Sequence, residues 1–161
     1  MIEQLSLGKL DMANSIQFLK AWLIGSTVAF VLASIMHTQM VLIGLLDIDV
    51  KISVANWLST SFQDIWGLLP TYAPVIAFAL FIAMLVVVLF AKFIIAPKLL
   101  AFIGGATAVL TVLITMQPIL DVTLIAGARE PLGFALQCLS GAIGGLTFAK
   151  LFYKGSQRRS G

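Results

Sequence analysis

Four long hydrophobic blocks divide the 161-residue chain and decide what it can fold into. They cover about residues 21–46, 72–91, 99–116 and 132–152. Each is close to the roughly 20 apolar residues that a helix needs to cross a hydrocarbon core about 30 Å thick. Hydrophobic residues make up 60% of the chain and charged residues only 11%, against about 25% charged residues in a soluble domain. We therefore predict an all-α integral membrane protein, in which residues 1–161 form a single membrane domain built as a four-transmembrane-helix bundle.

The first block is predicted to be a retained transmembrane helix. It runs for about 26 residues, whereas the hydrophobic region of a signal peptide has about 7–15 residues. Glu3 and Asp11 also precede it. We expect the segment up to Lys20 to form a short cytoplasmic or interfacial helix before the first span.

The segment of about residues 54–69, between the first two blocks, has the pattern of an amphipathic helix. Their apolar side chains recur at i, i+3 and i+4 spacing, and polar side chains occupy the other positions. Ser53 is suited to cap such a helix, and Gly67 with Pro70 to end it. We predict an interfacial helix on the outer membrane face. It either covers the top of the bundle or recognises a partner or lipid.

Basic residues indicate the orientation of the bundle. If the N-terminus is cytoplasmic, eight of the ten Lys and Arg residues lie on the cytoplasmic side, and only Lys51 and Arg129 lie outside. Cytoplasmic loops carry such an excess of positive charge. We therefore predict that the N- and C-termini are both cytoplasmic, in a membrane that we expect to be a bacterial inner (plasma) membrane.

Tryptophan and tyrosine side chains agree with this orientation. Their rings prefer the headgroup layer of a bilayer. Trp22 and Tyr153 fall near the inner boundary, and the residues near the outer boundary are Trp57, Trp66 and Tyr72. All five are predicted interfacial anchors.

Polar side chains within the blocks define a candidate site. His37 lies inside the first block, where an ionisable residue is a functional candidate. The second block has no polar side chain from Pro74 to Ala91. We therefore expect the second helix to face lipid, while the other three surround a polar patch that opens outward. The candidate patch consists of His37, Thr38, Gln39, Thr111, Thr115, Gln137 and Ser140.

Two interpretations of this patch are open. Either it is a shallow binding pocket in which His37 serves as a ligand or proton site, or it is a hydrogen-bonded seam in which neutral His37 joins neighbouring helices. An unsatisfied polar group in hydrocarbon costs several kcal/mol. In both cases we expect His37 to lie near Gln137 or Thr115.

Small residues repeat along the last two blocks and predict close helix packing. In lipid, such surfaces let helix backbones approach one another. The predicted packing residues are Gly133, Gly141 and Gly145 in the fourth block and Gly104, Gly105 and Ala108 in the third. The short loop between these blocks favours pairing within one chain, and pairing between chains is the alternative.

Several chemistries are disfavoured by the residue types present. The chain has one cysteine, Cys138, and one histidine, His37, so a disulfide framework or a zinc site within one chain lacks ligands. The sequence has no basic stripe with interleaved aromatic residues, which a nucleic-acid-binding surface would need. We therefore expect no nucleic acid as a partner. One histidine and one cysteine also give no convincing nucleophile and base pair. We expect no metal, no cofactor and no enzymatic activity.

Two hypotheses about function follow. The first is a non-catalytic multi-pass membrane protein, an accessory or structural subunit that assembles with itself or with other membrane proteins. The second is a small oligomeric channel or transporter that uses the outward-facing polar patch. The second is weakened because no block contains a carboxylate or arginine, and because inverted repeats, which many transporters have, are absent.

Overall fold

The computed structural model describes residues 2–46, 54–91, 93, 96–120 and 131–160. Within these residues it describes side chains over 14–44, 57–91, 93, 96–116 and 131–155. The described backbone is helical and contains no strand. The helices are α1 (Ile2–Leu46), α2 (Val54–Leu68), α3 (Tyr72–Phe90), α4 (Pro97–Leu120) and α5 (Pro131–Ser160). The predicted all-α class is confirmed.

Four of these helices are long and apolar enough to cross a membrane, as predicted. The candidate spans are Asn14–Gly44, Tyr72–Phe90, Pro97–Met116 and Pro131–Gly155. Proline begins both α4 and α5, where its missing N–H leaves no intrahelical hydrogen bond unmade. The ends of the second, third and fourth spans therefore lie within a few residues of the predicted ends.

The first helix differs from the prediction at its N-terminal end. The expected short helix before Lys20 is continuous with the first span, so that α1 has 45 residues. Its length is about 68 Å, more than twice the thickness of a hydrocarbon core. Residues 9–20 contain neither glycine nor proline, so nothing in the local sequence interrupts the helix.

The four long helices pack in a ring. α5 packs extensively against both α1 and α4, and α3 closes the ring by packing against α4 and α1. α5 is the most buried of the four candidate spans and α3 the least. The low burial of α3 fits the expectation that the second span has a large outward-facing surface.

Aromatic side chains join α1, α3 and α5. The Phe18 ring lies 5.8 Å from Phe81 of α3 and 5.2 Å from Phe148 of α5, both edge to face. Trp22 contacts Phe81 at 5.3 Å, and Phe148 stacks on Phe152 at 5.4 Å. Each such pair contributes about 0.5–1.5 kcal/mol beyond the burial of its surface. The cluster fixes the relative positions of these three helices.

The short helix α2 packs against the C-terminal half of α1. Trp57 and Asp64 of α2, two helical turns apart, hydrogen-bond to the adjacent α1 residues Gln39 and Thr38. Contacts that are separated on one helix and adjacent on the other are typical of a steep crossing.

Candidate functional site

A partly buried hydrogen bond joins α1 to α2. Thr38 is fully buried, and its hydroxyl lies 2.9 Å from Asp64 Oδ2 and 3.1 Å from the Ser34 carbonyl oxygen. A carboxylate can only accept a hydrogen bond, so the threonine hydroxyl donates. Bonds to a charged acceptor are stronger than neutral ones. This contact therefore holds α2 at a defined position on α1.

A second buried group joins three helices through Gln137 of α5. Its side-chain amide is completely buried and donates to the Ala33 carbonyl oxygen of α1 at 2.9 Å. Its carbonyl oxygen Oε1 accepts the Tyr72 hydroxyl of α3 at 3.2 Å. One side chain thus connects α1, α3 and α5 at a position without access to solvent. We call the Thr38–Asp64 and Gln137–Tyr72 groups together the polar junction.

Gln39 and His37 flank the polar junction. Gln39 Oε1 accepts the Trp57 indole N–H at 3.0 Å, which gives α2 its second bond to α1. His37 is half-buried and lies within electrostatic range of Asp64. The pairing of His37 with Gln137 or Thr115 stays a prediction.

Three of the predicted patch residues neither belong to the polar junction nor flank it. Thr111 and Thr115 are exposed, and each donates its hydroxyl proton to the carbonyl oxygen four residues earlier in α4, at 2.8 and 2.7 Å. Ser140 is buried but donates to the Leu136 carbonyl oxygen of its own helix at 2.9 Å. The expected enclosure of one patch by the first, third and fourth spans therefore differs from the structure, in which α2 and α3 take the place of α4.

Sequence reasoning missed two members of the polar junction. Asp64 is one of the polar residues of the predicted interfacial helix, and Tyr72 is one of the predicted anchors in the headgroup layer. The available signal was the spacing of seven residues between Trp57 and Asp64, which puts both on one face of α2. Tyr72 gave no such signal, because a tyrosine at the start of a span is typical of the aromatic belt.

The small residues of α4 and α5 bring the two backbones into direct contact. A Cβ atom added to Gly105 would collide with the Gly141 carbonyl oxygen, and one added to Gly145 would collide with the Ala101 carbonyl oxygen. These contacts lie within one chain, which is the pairing that the short loop favours. Gly133 and Ala108 are buried as well.

Other glycines make two further close contacts. On the neighbouring face of α5, a Cβ atom on Gly144 would lie 2.6 Å from Ala29 Cβ and 2.7 Å from the Gly25 carbonyl oxygen of α1. Gly104 faces α3 instead of α5, since its Cβ would lie 2.8 Å from a Val87 methyl group. Glycine therefore permits the close approach of α5 to two neighbours at once.

The predicted anchors occupy different environments. Trp66 is 63% exposed, whereas Tyr72 is 1% exposed, so its ring belongs to the bundle interior and differs from an anchor at the headgroups. Trp22 is half-buried and donates its indole N–H to the Ala77 carbonyl oxygen of α3 at 2.9 Å. Trp57 donates its indole N–H to Gln39. The half-buried Tyr153 ring packs against Phe152 at 5.3 Å.

Metal-ligating and nucleophilic side chains are dispersed in the part of the chain that the structure describes. No three His, Cys, Asp or Glu side chains there are arranged to hold a metal ion. Cys138 is half-buried on α5. The polar junction can therefore link helices, and its Asp64 carboxylate lies within electrostatic range of the flanking His37 imidazole.

Comparisons with known proteins give no relative: no protein-family model, no curated protein and no solved structure matches this chain.

Proposed function

We propose that the chain is a non-catalytic multi-pass membrane protein that serves as an accessory or structural subunit, assembling with itself or with other membrane proteins. One observation carries the proposal, which is the apolar face that α2 turns away from the bundle. Leu58, Phe62 and Trp66 are 68%, 65% and 63% exposed. Trp is among the residues that contribute most to protein interfaces.

The interior of the bundle supports the same proposal. Asp64, Thr38, Tyr72 and Gln137 are engaged with one another or with backbone carbonyls. The glycine faces of α5 are likewise covered by α1 and α4 of the same chain. Contacts with a partner are therefore left to the outward-facing surfaces.

The proposed location is a bacterial inner membrane, with both termini in the cytoplasm. Eight of ten basic residues then lie on the cytoplasmic side, in agreement with the preference of cytoplasmic loops. In this orientation α2 is an interfacial helix on the outer face, and its exposed apolar side chains insert among lipids or contact a partner in the outer leaflet.

Purification from native membranes in mild detergent tests the proposal. The wild-type chain should copurify at a fixed ratio with another membrane protein or form a defined homo-oligomer. Phe62→Ala and Trp66→Ala should weaken that association without reducing the amount of folded chain. Leu89→Ala on α3 is the matched control, since Leu89 is 67% exposed and lies on another helix. The proposal would be contradicted if only the Leu89→Ala variant lost the association. It would also be contradicted if the wild-type chain were a monomer without a partner.

A channel or transporter is the second candidate, and the Asp64 carboxylate favours it. Asp64 bonds to Thr38 and lies within electrostatic range of His37, so that an ionisable residue of the first span faces an ionisable residue of α2. In this function, His37→Gln and His37→Leu should both abolish solute or ion flux into liposomes while the amount of folded protein stays unchanged. If His37 is only a packing residue, His37→Gln should be nearly harmless, and activity should follow protein abundance.

A further inference from the structure

A long apolar groove runs between α3 and α4 on the outside of the bundle, away from the polar junction. Its volume is about 860 Å³. Large exposed side chains form its rims, among them Phe78, Ile82 and Phe90. Small side chains form the middle of its floor, where Ala79, Ala83 and Ala108 lie. From Val75 to Phe90 the groove follows α3 for about 22 Å, which is most of the thickness of a hydrocarbon core.

The size of the groove suits a lipid with two chains. An apolar cavity of about 150 Å³ holds one benzene molecule of six carbons. At the same density, the groove has room for about thirty carbon atoms, which is the content of two fatty acyl chains.

The polar atoms in the groove wall are already used. Thr107, Thr111 and Thr115 line it, and each donates its hydroxyl proton to the carbonyl oxygen four residues earlier, at 2.7–2.9 Å. These three hydroxyl protons are therefore not available to hydrogen-bond a polar solute. The wall that they leave is suited to an apolar occupant.

The recessed floor argues against a second transmembrane helix as the occupant. Close helix packing in lipid needs small residues at the surface, where backbones can touch. Here the alanines are less exposed than Phe78 and Ile82, which are 68% and 48% exposed, so these larger side chains keep the backbone of another helix away from the floor. A thin, flexible hydrocarbon chain can reach it.

Charge complements this shape at one end of the groove. Leu100 lines that end, and Lys98, two residues earlier in the first turn of α4, is exposed. A lysine at a membrane surface attracts anionic headgroups. We propose that the groove binds the acyl chains of an acidic phospholipid of the cytoplasmic leaflet, with its headgroup beside Lys98. The leaflet rests on the proposed topology, whereas the groove is independent of the proposed subunit function.

Photolabelling of the full-length protein in vesicles tests this proposal. The probe is phosphatidylglycerol with a diazirine in one acyl chain, present as a minor component in phosphatidylcholine vesicles. Label should concentrate on groove residues such as Ala83 and Ala108, above the level at Leu89 and Ile114, which are exposed outside the groove. Equal labelling of all outward-facing residues would overturn the proposal, and this result does not depend on any variant.

Variants separate the acyl chains from the headgroup. Ala83→Phe should fill the floor and reduce groove labelling to the level at Leu89. Ala106→Phe on α4, outside the groove, is the matched control and should leave the labelling unchanged. With phosphatidylcholine carrying the same diazirine, groove labelling should fall about fivefold, the ratio expected for one lysine near an anionic group. Lys98→Gln should remove this difference between the two probes.

Three results would contradict the assignment. Groove labelling that persists in folded Ala83→Phe would show that the lipid does not occupy the floor. Equal labelling by both probes in the wild type would show that the headgroup charge is not recognised. Cross-links between two chains through Phe78 and Ile103 would identify a second copy as the occupant.

Discussion

Single buried side chains decide how the helices of this bundle are joined. Ser34 and Thr38 lie one turn apart on α1, and both are completely buried. The Thr38 hydroxyl bonds to Asp64, whereas the Ser34 hydroxyl has no hydrogen-bond partner among the residues that the structure describes. A buried polar group without a hydrogen-bond partner destabilises the folded state, and a hydrogen-bonded one stabilises it slightly. The two hydroxyls should therefore respond differently to removal.

Ser34→Ala and Thr38→Val form a matched pair that measures this difference. Thr38→Val should lower the free energy of unfolding by about 0.6 kcal/mol, and by no more than about 1.7 kcal/mol, as for other interhelical hydrogen bonds in membranes. Ser34→Ala should leave it unchanged or raise it. Reversible unfolding in mixed detergent micelles, followed by circular dichroism, measures both. A larger loss for Ser34→Ala than for Thr38→Val would contradict the hydrogen-bond assignment.

The site was only partly predictable at this scale. Thr38, Gln39 and Gln137 were found because polar residues inside apolar blocks are few, and they are hydrogen-bonded to other helices. Thr111 and Thr115 share the same depth but lie on the outward face of α4. The depth of a residue along a helix can be counted from the sequence. Whether the residue faces the bundle interior or the outside depends on which helices pack against its own.

At the scale of elements, glycine sets the distances between helices. Gly141 and Gly145 meet the backbone of α4 at Gly105 and Ala101, and Gly144 meets α1. Because each of these three glycines meets a backbone carbonyl oxygen, the rotation of a neighbouring side chain cannot make room. α5 therefore lies closer to two neighbours than larger residues would allow.

Alanine substitutions test this packing. Gly141→Ala and Gly145→Ala should each lower the free energy of unfolding by about 1–3 kcal/mol through overpacking, and Gly141→Leu by more. Gly67→Ala is the control, since nothing lies within 4 Å of its added Cβ in α2, and it should raise the free energy by roughly 0.5–1 kcal/mol. The same micelle unfolding assay applies. Equal changes in the free energy of unfolding at Gly67 and Gly145 would mean that helix propensity, and not packing, determines the effect of the substitution.

The hydrophobic blocks predicted the helices well, because length and apolar content suffice to identify a candidate span. The start of α1 was less predictable, since the charged residues up to Lys20 suggested a separate segment although helix formation continues through them. The docking of α2 was also not predictable. Its periodicity identified two faces, but the face that contacts α1 includes both Trp57 and Asp64.

At the scale of the whole molecule, two outward-facing features of the described residues lie around the ring of α1, α5, α4 and α3. One is the apolar face of α2, and the other is the groove between α3 and α4. Both lie outside the polar junction. In the proposed orientation, α2 is at the outer face and Lys98 is at the cytoplasmic end of the groove. The account of partner and lipid binding therefore depends on which side of the membrane each loop occupies.

Reporter fusions that are active on only one side of the membrane test this central claim most directly. Fusions after Lys154 and within residues 93–97 should report a cytoplasmic position, and a fusion near Gln63 should report an external one. Four membrane crossings with α2 outside would produce this pattern. An external position after Lys154, or a cytoplasmic position near Gln63, would contradict the account.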